Sequence, residues 1–335
     1  MTAGRRVGAG ARACVVRRAC TPRRRRVVST VPAPAVTPSL HVGASGPTLA
    51  VVPSTTRPAP EPSSSLAPPS LVQLSVAART DVGRIRAGNE DSLHAEASES
   101  RGLFIVADGM GGHAAGEVAS SMAVQIIAQE LAPLSTIDEP GAVERMAHAV
   151  RSANRAIYDR TMNEAEKHGM GTTTSVLMLS DAGYLIGQVG DSRIYLLRDG
   201  QLRQLTKDHS YVQEQVDAGY LTPEQARYHP YSNVITRCVG ANESVEADFF
   251  AGPINPGDVF LVASDGLTGM VEDRRLQQLM ASKANPGRVV DALIAEANGR
   301  GGLDNITAIL VQVHAVGAST GGSATDAAGD VAAPR

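Results

Sequence analysis

Short apolar runs bounded by Gly or Asp recur through the middle of the chain and predict β-strands. The runs cover residues 103–107, 175–179, 184–189, 259–263 and 306–313. A further pair, 194–197 and 202–205, flanks Asp199 and Gly200. Because both central residues of a type I′ turn need positive φ, an Asp-Gly pair between two apolar runs predicts a β-hairpin.

Other apolar residues recur at nearly helical spacing and predict three helices. The first carries Val118, Met122, Ile126 and Leu131, the second Met146, Val150, Ala153 and Ile157, and the third Val289, Val290, Leu293, Ile294 and Ala297. A helix with one apolar stripe has to cover another layer, and many short strands with hairpin turns indicate antiparallel sheets as that layer. The pattern therefore predicts a mixed α and β domain with helices packed on the faces of sheets.

The two ends of the chain lack this periodicity. Residues 1–70 are rich in Arg, Pro and Ser, so we predict a disordered leader, and residues 318–335 are low in bulky apolar side chains, so we predict a disordered tail. Residues 71–317 remain as one domain. The Arg-rich start of the leader is also typical of a transit peptide or of an RNA-binding arm, and these alternatives stay open.

Charge is distributed unevenly along the chain. Ten arginines and no acidic residue occur up to Pro60, so the remainder holds 21 of the 31 basic residues against all 34 acidic ones. The acidic remainder of the chain does not favour nucleic acid as a general partner, and only the Arg-rich leader would bind nucleic acid. An acidic body suits a site that concentrates cations.

Cysteine content and hydropathy narrow the class of protein further. The three cysteines, Cys14, Cys20 and Cys238, are too few for a disulfide framework or a thiolate zinc site. No apolar run approaches the roughly 18 residues that span a bilayer. We therefore expect a cytoplasmic protein without a membrane segment.

Acidic residues lie beside the ends of the predicted strands. They are Glu90, Asp91, Asp108, Asp191, Asp265 and Asp304. Any one of them is an ordinary turn residue or helix cap, but acids at five such places suggest a shared site. Clustered carboxylates repel one another unless a cation neutralises them, which indicates a hard divalent metal such as Mg²⁺ or Mn²⁺. Gly109, directly after Asp108, would let a backbone carbonyl approach such an ion.

Seven segments of the chain resemble, in order, the motifs of the bacterial PP2C (PPM) metal-dependent protein phosphatases. They are TDVGRIRAGNEDS at 80–92, ADGMGGHAAGE at 107–117, GMGTTT at 169–174, VGDSR at 189–193, NVITR at 233–237, SDGL at 264–267 and DNIT at 304–307. The resemblance spans about 74–313. It implies an α+β fold, a four-layer α-β-β-α sandwich of two antiparallel sheets flanked by helices, with metals at one end.

The resemblance also implies which residues hold the metals. Asp108 would bridge two Mn²⁺ or Mg²⁺ ions, Asp265 and Asp304 would complete the first site, and the carbonyl of Gly109 would serve the second. Glu90 and Asp91 would act on the second ion directly or through its waters. Asp191, together with Asp265, would supply a third and weaker site.

Two further residues are candidates for the chemistry itself. Arg86 lies close to Glu90 in sequence, and its guanidinium fork suits phosphate oxygens; the alternative is a surface arginine paired with a carboxylate. Animal relatives place the proposed general acid two residues after the bridging Asp, where this chain has Met110. Proton donation would thus fall to His113 or to a metal-bound water, and His113 is otherwise a histidine of a glycine-rich turn.

The resemblance implies hydrolysis of phosphoserine and phosphothreonine in proteins by a metal-bridging water. The enzyme would be a monomer, would oppose a Ser/Thr protein kinase and would use two ions, with a third at the weaker site. The half-helical, tyrosine-rich segment 208–231 would be the flap beside the active site. The alternative is a non-catalytic module on the same fold that binds a kinase or a phosphoprotein. We take Thr172, Thr173 and Thr174 as strand residues, not as nucleophiles.

Overall fold

The computed structural model describes residues 72–111, 115–282 and 284–317. The predicted leader at 1–70 and tail at 318–335 lie outside these residues, as does His113. In chain order, the strands are β1 (Val72–Asp81), β2 (Asp91–Ala97), β3 (Arg101–Met110), β4 (Gly171–Thr172), β5 (Thr174–Ser180), β6 (Gly183–Val189), β7 (Arg193–Arg198), β8 (Gln201–Gln204), β9 (Asp248–Gly252), β10 (Val259–Ala263) and β11 (Ile306–Val316). The helices are α1 (Ala115–Leu131), α2 (Ala142–Asn163), α3 (Tyr211–Asp217), α4 (Pro223–Arg227), α5 (Asp265–Thr268), α6 (Asp273–Met280) and α7 (Pro286–Gly299), with a 3₁₀ turn at Ala165–Lys167.

The strands form two antiparallel sheets. In the described part of the chain, the first sheet has the order β1-β11-β10-β7-β8. The second has the order β2-β3-β5-β6-β9, and β4 pairs with the end of β3. Consecutive strands are often not neighbours, so residues far apart in sequence come together at the ends of the sandwich.

Alternating side chains of the central strands enter two different cores, which produces the layers. In β3, Leu103 and Ile105 pack in a cluster with residues of α1 and α2, whereas Phe104 and Val106 pack between the two sheets. Because side chains of a strand point alternately to its two faces, a strand that is apolar at every position is buried on both. The first sheet behaves in the same way, with its outer face covered by α5, α6 and α7.

The architecture confirms the predicted α+β sandwich with flanking helices. All seven predicted strands, including the two of the hairpin, and all three predicted helices are present, and the turn at Asp199 and Gly200 has φ of 50° and 75°. One boundary differs. Asp108 and Gly109 lie inside β3 instead of directly after it, because β4 pairs with Gly109 and Met110 and extends the ladder.

None of the helices described here combines the length and the apolar composition that a bilayer span requires.

Candidate active site

The acidic residues singled out in the sequence lie at one end of the sandwich. Arg86, Asp191, Asp265 and Asp304 line a single cleft of about 930 Å³. Asp265 begins α5 directly after β10, and Asp304 lies just before β11. The first sheet therefore places these two acids on neighbouring strands.

Asp91 joins the two sheets beside this cleft. It starts β2 and lies directly opposite Asp108 of β3. Its Oδ2 accepts hydrogen bonds from the hydroxyls of Ser264 (2.8 Å) and Thr307 (2.7 Å), which belong to the other sheet's end. Buried carboxylates need such donors, and these two fix the second sheet's Asp91 and Asp108 relative to the first sheet's Asp265.

Two threonines hold the backbone of Asp108. The N–H of Asp108 donates to Oγ1 of Thr173 (2.9 Å), and the N–H of Thr173 donates to the carbonyl of Asp108 (2.9 Å). The hydroxyl of Thr172 donates to the same carbonyl (3.0 Å). These bonds agree with our interpretation of the threonines as structural, because they fix the backbone of Asp108 inside β3.

Gly109 permits a close approach of three segments. A Cβ atom at this position would collide with the carbonyl of Gly116 in α1 and would lie 2.6 Å from the carbonyl oxygen of Glu90. The N–H of Gly109 donates to that same carbonyl of Glu90 (3.1 Å). Any side chain here would push the loop of Glu90 and the start of α1 away from β3.

Asn305 connects the loop before β2 to the start of β11. Its Oδ1 accepts from the N–H of Glu90 (2.8 Å), and its Nδ2 donates to the carbonyls of Val82 (3.0 Å) and Gly88 (2.9 Å). One amide thus satisfies three backbone groups of the loop. The backbone of the loop that carries Arg86 is therefore held in place.

Arg86 contacts the acids directly. Its Nη2 donates to Oδ2 of Asp304 (2.8 Å), and its Nη1 lies 3.9 Å from Oε2 of Glu90. The side chain remains 24% exposed to the cleft side of the molecule. Within the described residues, its buried Nε has no hydrogen-bond partner. The guanidinium therefore keeps donor capacity beyond its ion pair with Asp304.

Three of the carboxylates, those of Asp191, Asp265 and Asp304, line the cleft. Within the described residues, no three His, Cys, Asp or Glu side chains form a ready-made cage for an ion. Asp304 accepts from Arg86 at Oδ2 and from the backbone N–H of Asn305 at Oδ1 (2.8 Å), while Asp91 accepts two hydroxyls. Donors of the protein itself thus help to position Asp304 and Asp91.

Segment 208–231 is half-helical, as predicted, and is fixed at both of its ends. At its base, Asp208 forms a bidentate pair with Arg193 through Nε (3.0 Å) and Nη2 (2.7 Å). At α4, Nη2 of Arg227 donates to the carbonyls of Thr268 (3.1 Å) and Gly269 (3.3 Å), which follow Asp265 in α5. The segment therefore forms part of the wall of the cleft.

His209 has a structural position next to Asp191. Its Nδ1 accepts from the N–H of Gly190 (3.0 Å), and its Nε2 lies 3.1 Å from Oδ2 of Asp248. Burial lowers the pKa of His209, and the hydrogen bond to Asp248 opposes this only in part. The neutral tautomer with hydrogen on Nε2 satisfies both contacts, so His209 anchors the turn that carries Asp191.

Acid should destabilise the fold through His209. Because its folded pKa is lowered, the unfolded state takes up the proton first, and stability falls as pH drops below the unfolded value of about 6.5. The contribution of one such group cannot exceed about 1.4 kcal/mol per pH unit. In denaturant melts from pH 8 to pH 5, His209→Gln should lose less stability than the wild type. The mostly exposed His148, changed to Gln, is the control, and equal slopes for wild type and His209→Gln would contradict the expectation.

Sequence reasoning missed the residues that position the acids. Ser264, Asn305 and Thr307 belong to recognised segments, but their contacts join strands of different sheets. Their only signal was their place beside Asp265 and Asp304. The structure brings Arg86, Asp191, Asp265 and Asp304 to one cleft, and it places Asp108, Gly109, Glu90 and Asp91 on the adjoining strand ends.

Known proteins are similar to this chain in both sequence and fold. Residues 84–295 match the family model described as protein phosphatase 2C. The serine/threonine phosphatase Stp of Listeria monocytogenes serotype 4b (strain F2365) is 40% identical over 239 residues, which cover 70% of this chain and 94% of that protein.

Solved structures extend the similarity to the whole sandwich. The serine/threonine phosphatase PstP/Ppp of Mycobacterium tuberculosis matches with a TM-score of 0.66 at 38% identity, covering 73% of this chain and 100% of that one. The catalytic domain of PstP in complex with two manganese ions matches with a TM-score of 0.63 at 39% identity, covering 73% and 100%. With a family match over more than half of its residues, the chain belongs to the protein phosphatase 2C family and is a protein-serine/threonine phosphatase.

Proposed function

We propose that the enzyme removes phosphate from phosphoserine and phosphothreonine in proteins with the help of bound Mn²⁺ or Mg²⁺, and that it opposes a Ser/Thr protein kinase. The observation that carries the proposal is the single cleft lined by Arg86, Asp191, Asp265 and Asp304, with Asp108 on the adjoining strand end. The manganese-bound PstP domain supports the choice of metal. Residues 71–317 would form the catalytic domain.

The donor set fits a hard divalent cation. Carboxylate and carbonyl oxygens are the ligands that Mg²⁺ and Mn²⁺ prefer, and acids on neighbouring strand ends repel one another until a cation neutralises them. Asp108, Asp265, Asp304 and the carbonyl of Gly109 would hold two ions, with Glu90 and Asp91 contributing to the second. Asp191 would contribute to a third. When bound, the ions would activate a water for attack on phosphorus and neutralise developing charge.

The protein's own residues would orient the phosphate. Arg86 would donate hydrogen bonds to phosphate oxygens through the two arms of its guanidinium group. For this, its hydrogen bond to Asp304 would be replaced by hydrogen bonds to the substrate. The hydrogen bonds from Asn305 to the carbonyls of Val82 and Gly88 would hold the loop that carries Arg86 while its partner changes. We assign proton donation to the departing serine oxygen to His113 or to a water, since Met110 stands where animal relatives have the proposed general acid.

Metal removal tests the proposal. The purified full chain should release phosphate from a phosphoserine peptide and from para-nitrophenyl phosphate only with Mn²⁺ or Mg²⁺, and a chelator should reduce turnover to background. Re-addition of Mn²⁺ should restore it, and circular dichroism should show that the chelated protein stays folded. Okadaic-acid-type inhibitors should have no effect. Full turnover in excess chelator would exclude the proposed mechanism.

A further inference from the structure

Most of the exposed large apolar side chains lie on the flap or on the two loops that carry Arg86 and Asp304. Among the described residues, seven of nine such side chains belong to these segments, and two of them, Tyr228 and Leu303, line the cleft itself. The seven are Val82, Ile85, Tyr211, Tyr220, Tyr228, Tyr231 and Leu303, whereas Val143 and Met162 lie on α2. Single exposed apolar residues are ordinary on a protein surface, but seven of them on three segments that contribute to one cleft indicate an interaction surface.

Two of these residues directly precede, in sequence, the residues that would bind phosphate and metal. Ile85 is 57% exposed and directly precedes Arg86; Leu303 is 53% exposed, lines the cleft and directly precedes Asp304. Consecutive Cα atoms are about 3.8 Å apart, so each aliphatic side chain starts within one residue of the site. We call Ile85 and Leu303 together the aliphatic rim.

The two loops of the aliphatic rim are joined firmly. The N–H of Arg84 donates to the carbonyl of Gly302 (2.8 Å), and Arg86 donates to Asp304 (2.8 Å). Gly302 has a positive φ of 52°, and a Cβ there would lie 3.0 Å from the N–H nitrogen of Arg84. Because both loops are held on either side of the exposed residues, the rim is presented without a large entropic cost of ordering.

We propose that the aliphatic rim binds an apolar side chain of the phosphoprotein within two residues of the phosphorylated position. An extended peptide rises about 3.3 Å per residue, so with its phosphate at Arg86 the neighbouring side chains reach the rim. Contact there removes apolar surface of both partners from water. The inference rests on the proposed function, since it assigns a sequence preference to the same site.

Paired substrates test the preference. Two phosphoserine peptides that differ only in Leu or Ser beside the phosphoserine are compared with para-nitrophenyl phosphate, using the full chain with Mn²⁺. The wild type should favour the Leu peptide by about tenfold in kcat/KM, which corresponds to about 1.4 kcal/mol. We expect the two peptides to differ in KM and to have similar kcat. The double variant Ile85→Ser, Leu303→Ser should lose this preference. Val143→Ser and Met162→Ser, exposed on α2, are matched controls that should keep it.

The outcomes separate this inference from the proposed function. For each variant, kcat/KM for the Leu peptide is divided by kcat/KM for para-nitrophenyl phosphate. If this ratio falls in the double variant of the aliphatic rim and in neither control, the result supports binding of the apolar side chain at the rim. A wild type that hydrolyses both peptides equally, or a preference that survives in the double variant, overturns the rim but leaves the phosphatase assignment intact. Absence of any metal-dependent hydrolysis by the wild type overturns both. Thermal melting of each variant shows whether it is folded. If the double variant is unfolded, Ile85→Ser and Leu303→Ser are tested singly in its place.

Discussion

Asp108→Asn is expected to stop turnover and to leave the fold intact. Asp108 lies opposite Asp91 and directly before Gly109. In our proposal, which takes this role from the resemblance to the family, Asp108 would contribute to holding both ions. Losing about 4 kcal/mol of transition-state stabilisation corresponds to a fall in kcat of roughly a thousandfold. Asp265→Asn should behave in the same way.

The fold should survive this substitution because the amide has the size of the carboxylate. The threonines hold the backbone of Asp108 through its N–H and carbonyl, which Asn retains. Removing one negative charge from a group of acids also lowers repulsion in the metal-free protein. Melting temperature without metal should therefore be unchanged or higher.

A matched control is Asp199→Asn. Asp199 lies in the β7–β8 turn with φ of 50°, a conformation that Asn also adopts readily, and it follows the opposite end of β7 from Asp191. Hydrolysis of a phosphoserine peptide in Mn²⁺ is the measurement. Retention of a tenth or more of wild-type kcat by Asp108→Asn would contradict its assigned role.

Arg86→Ala is expected to lower kcat/KM for phosphopeptides by about a hundredfold or more, the range found when one preorganised donor to a developing charge is removed. The guanidinium lines the cleft and donates to Asp304, and within the described residues its Nε has no hydrogen-bond partner. Arg86→Lys keeps the charge but loses the fork, so it should recover only part of the activity.

Arg86 also pairs with Asp304, so its loss could act through the metal site alone. Mn²⁺ titration separates the two effects. If Arg86 binds phosphate, Arg86→Ala should raise KM at saturating Mn²⁺ as well as at low Mn²⁺. Arg79→Ala, which removes an arginine paired with Asp291 on the surface, is the control and should leave KM unchanged. Full recovery of Arg86→Ala by added Mn²⁺ would show that Arg86 acts only on Asp304.

The apolar strands β3 and β10 could be predicted from sequence, and the partly exposed strands β2 and β9 could not. β3 and β10 are buried at every position, and their apolar runs gave the prediction directly. β2 and β9 are mostly half-buried or exposed, and polar residues interrupt their patterns. The turn at Asp199 and Gly200 was predictable because its backbone conformation restricts the residue type.

The candidate site shows the same division between local and distant information. Asp108, Asp265 and Asp304 could be singled out because each adjoins an apolar strand. The hydrogen bond from Ser264 to Asp91 joins residues 173 positions apart, and that from Asn305 to Gly88 joins residues 217 apart. Such contacts depend on the strand order of both sheets, which no local pattern contains. For this reason the positioning residues emerge only from the structure.

The most direct measurement of the proposed metal centre is anomalous diffraction from crystals of the full chain grown with Mn²⁺. We expect manganese peaks in contact with Asp108, Asp265 and Asp304, and we expect them to disappear in Asp108→Asn crystals of the same form. Peaks only at surface carboxylates away from the cleft, in an enzyme that is active in the same solution, would contradict a metal centre built from these aspartates.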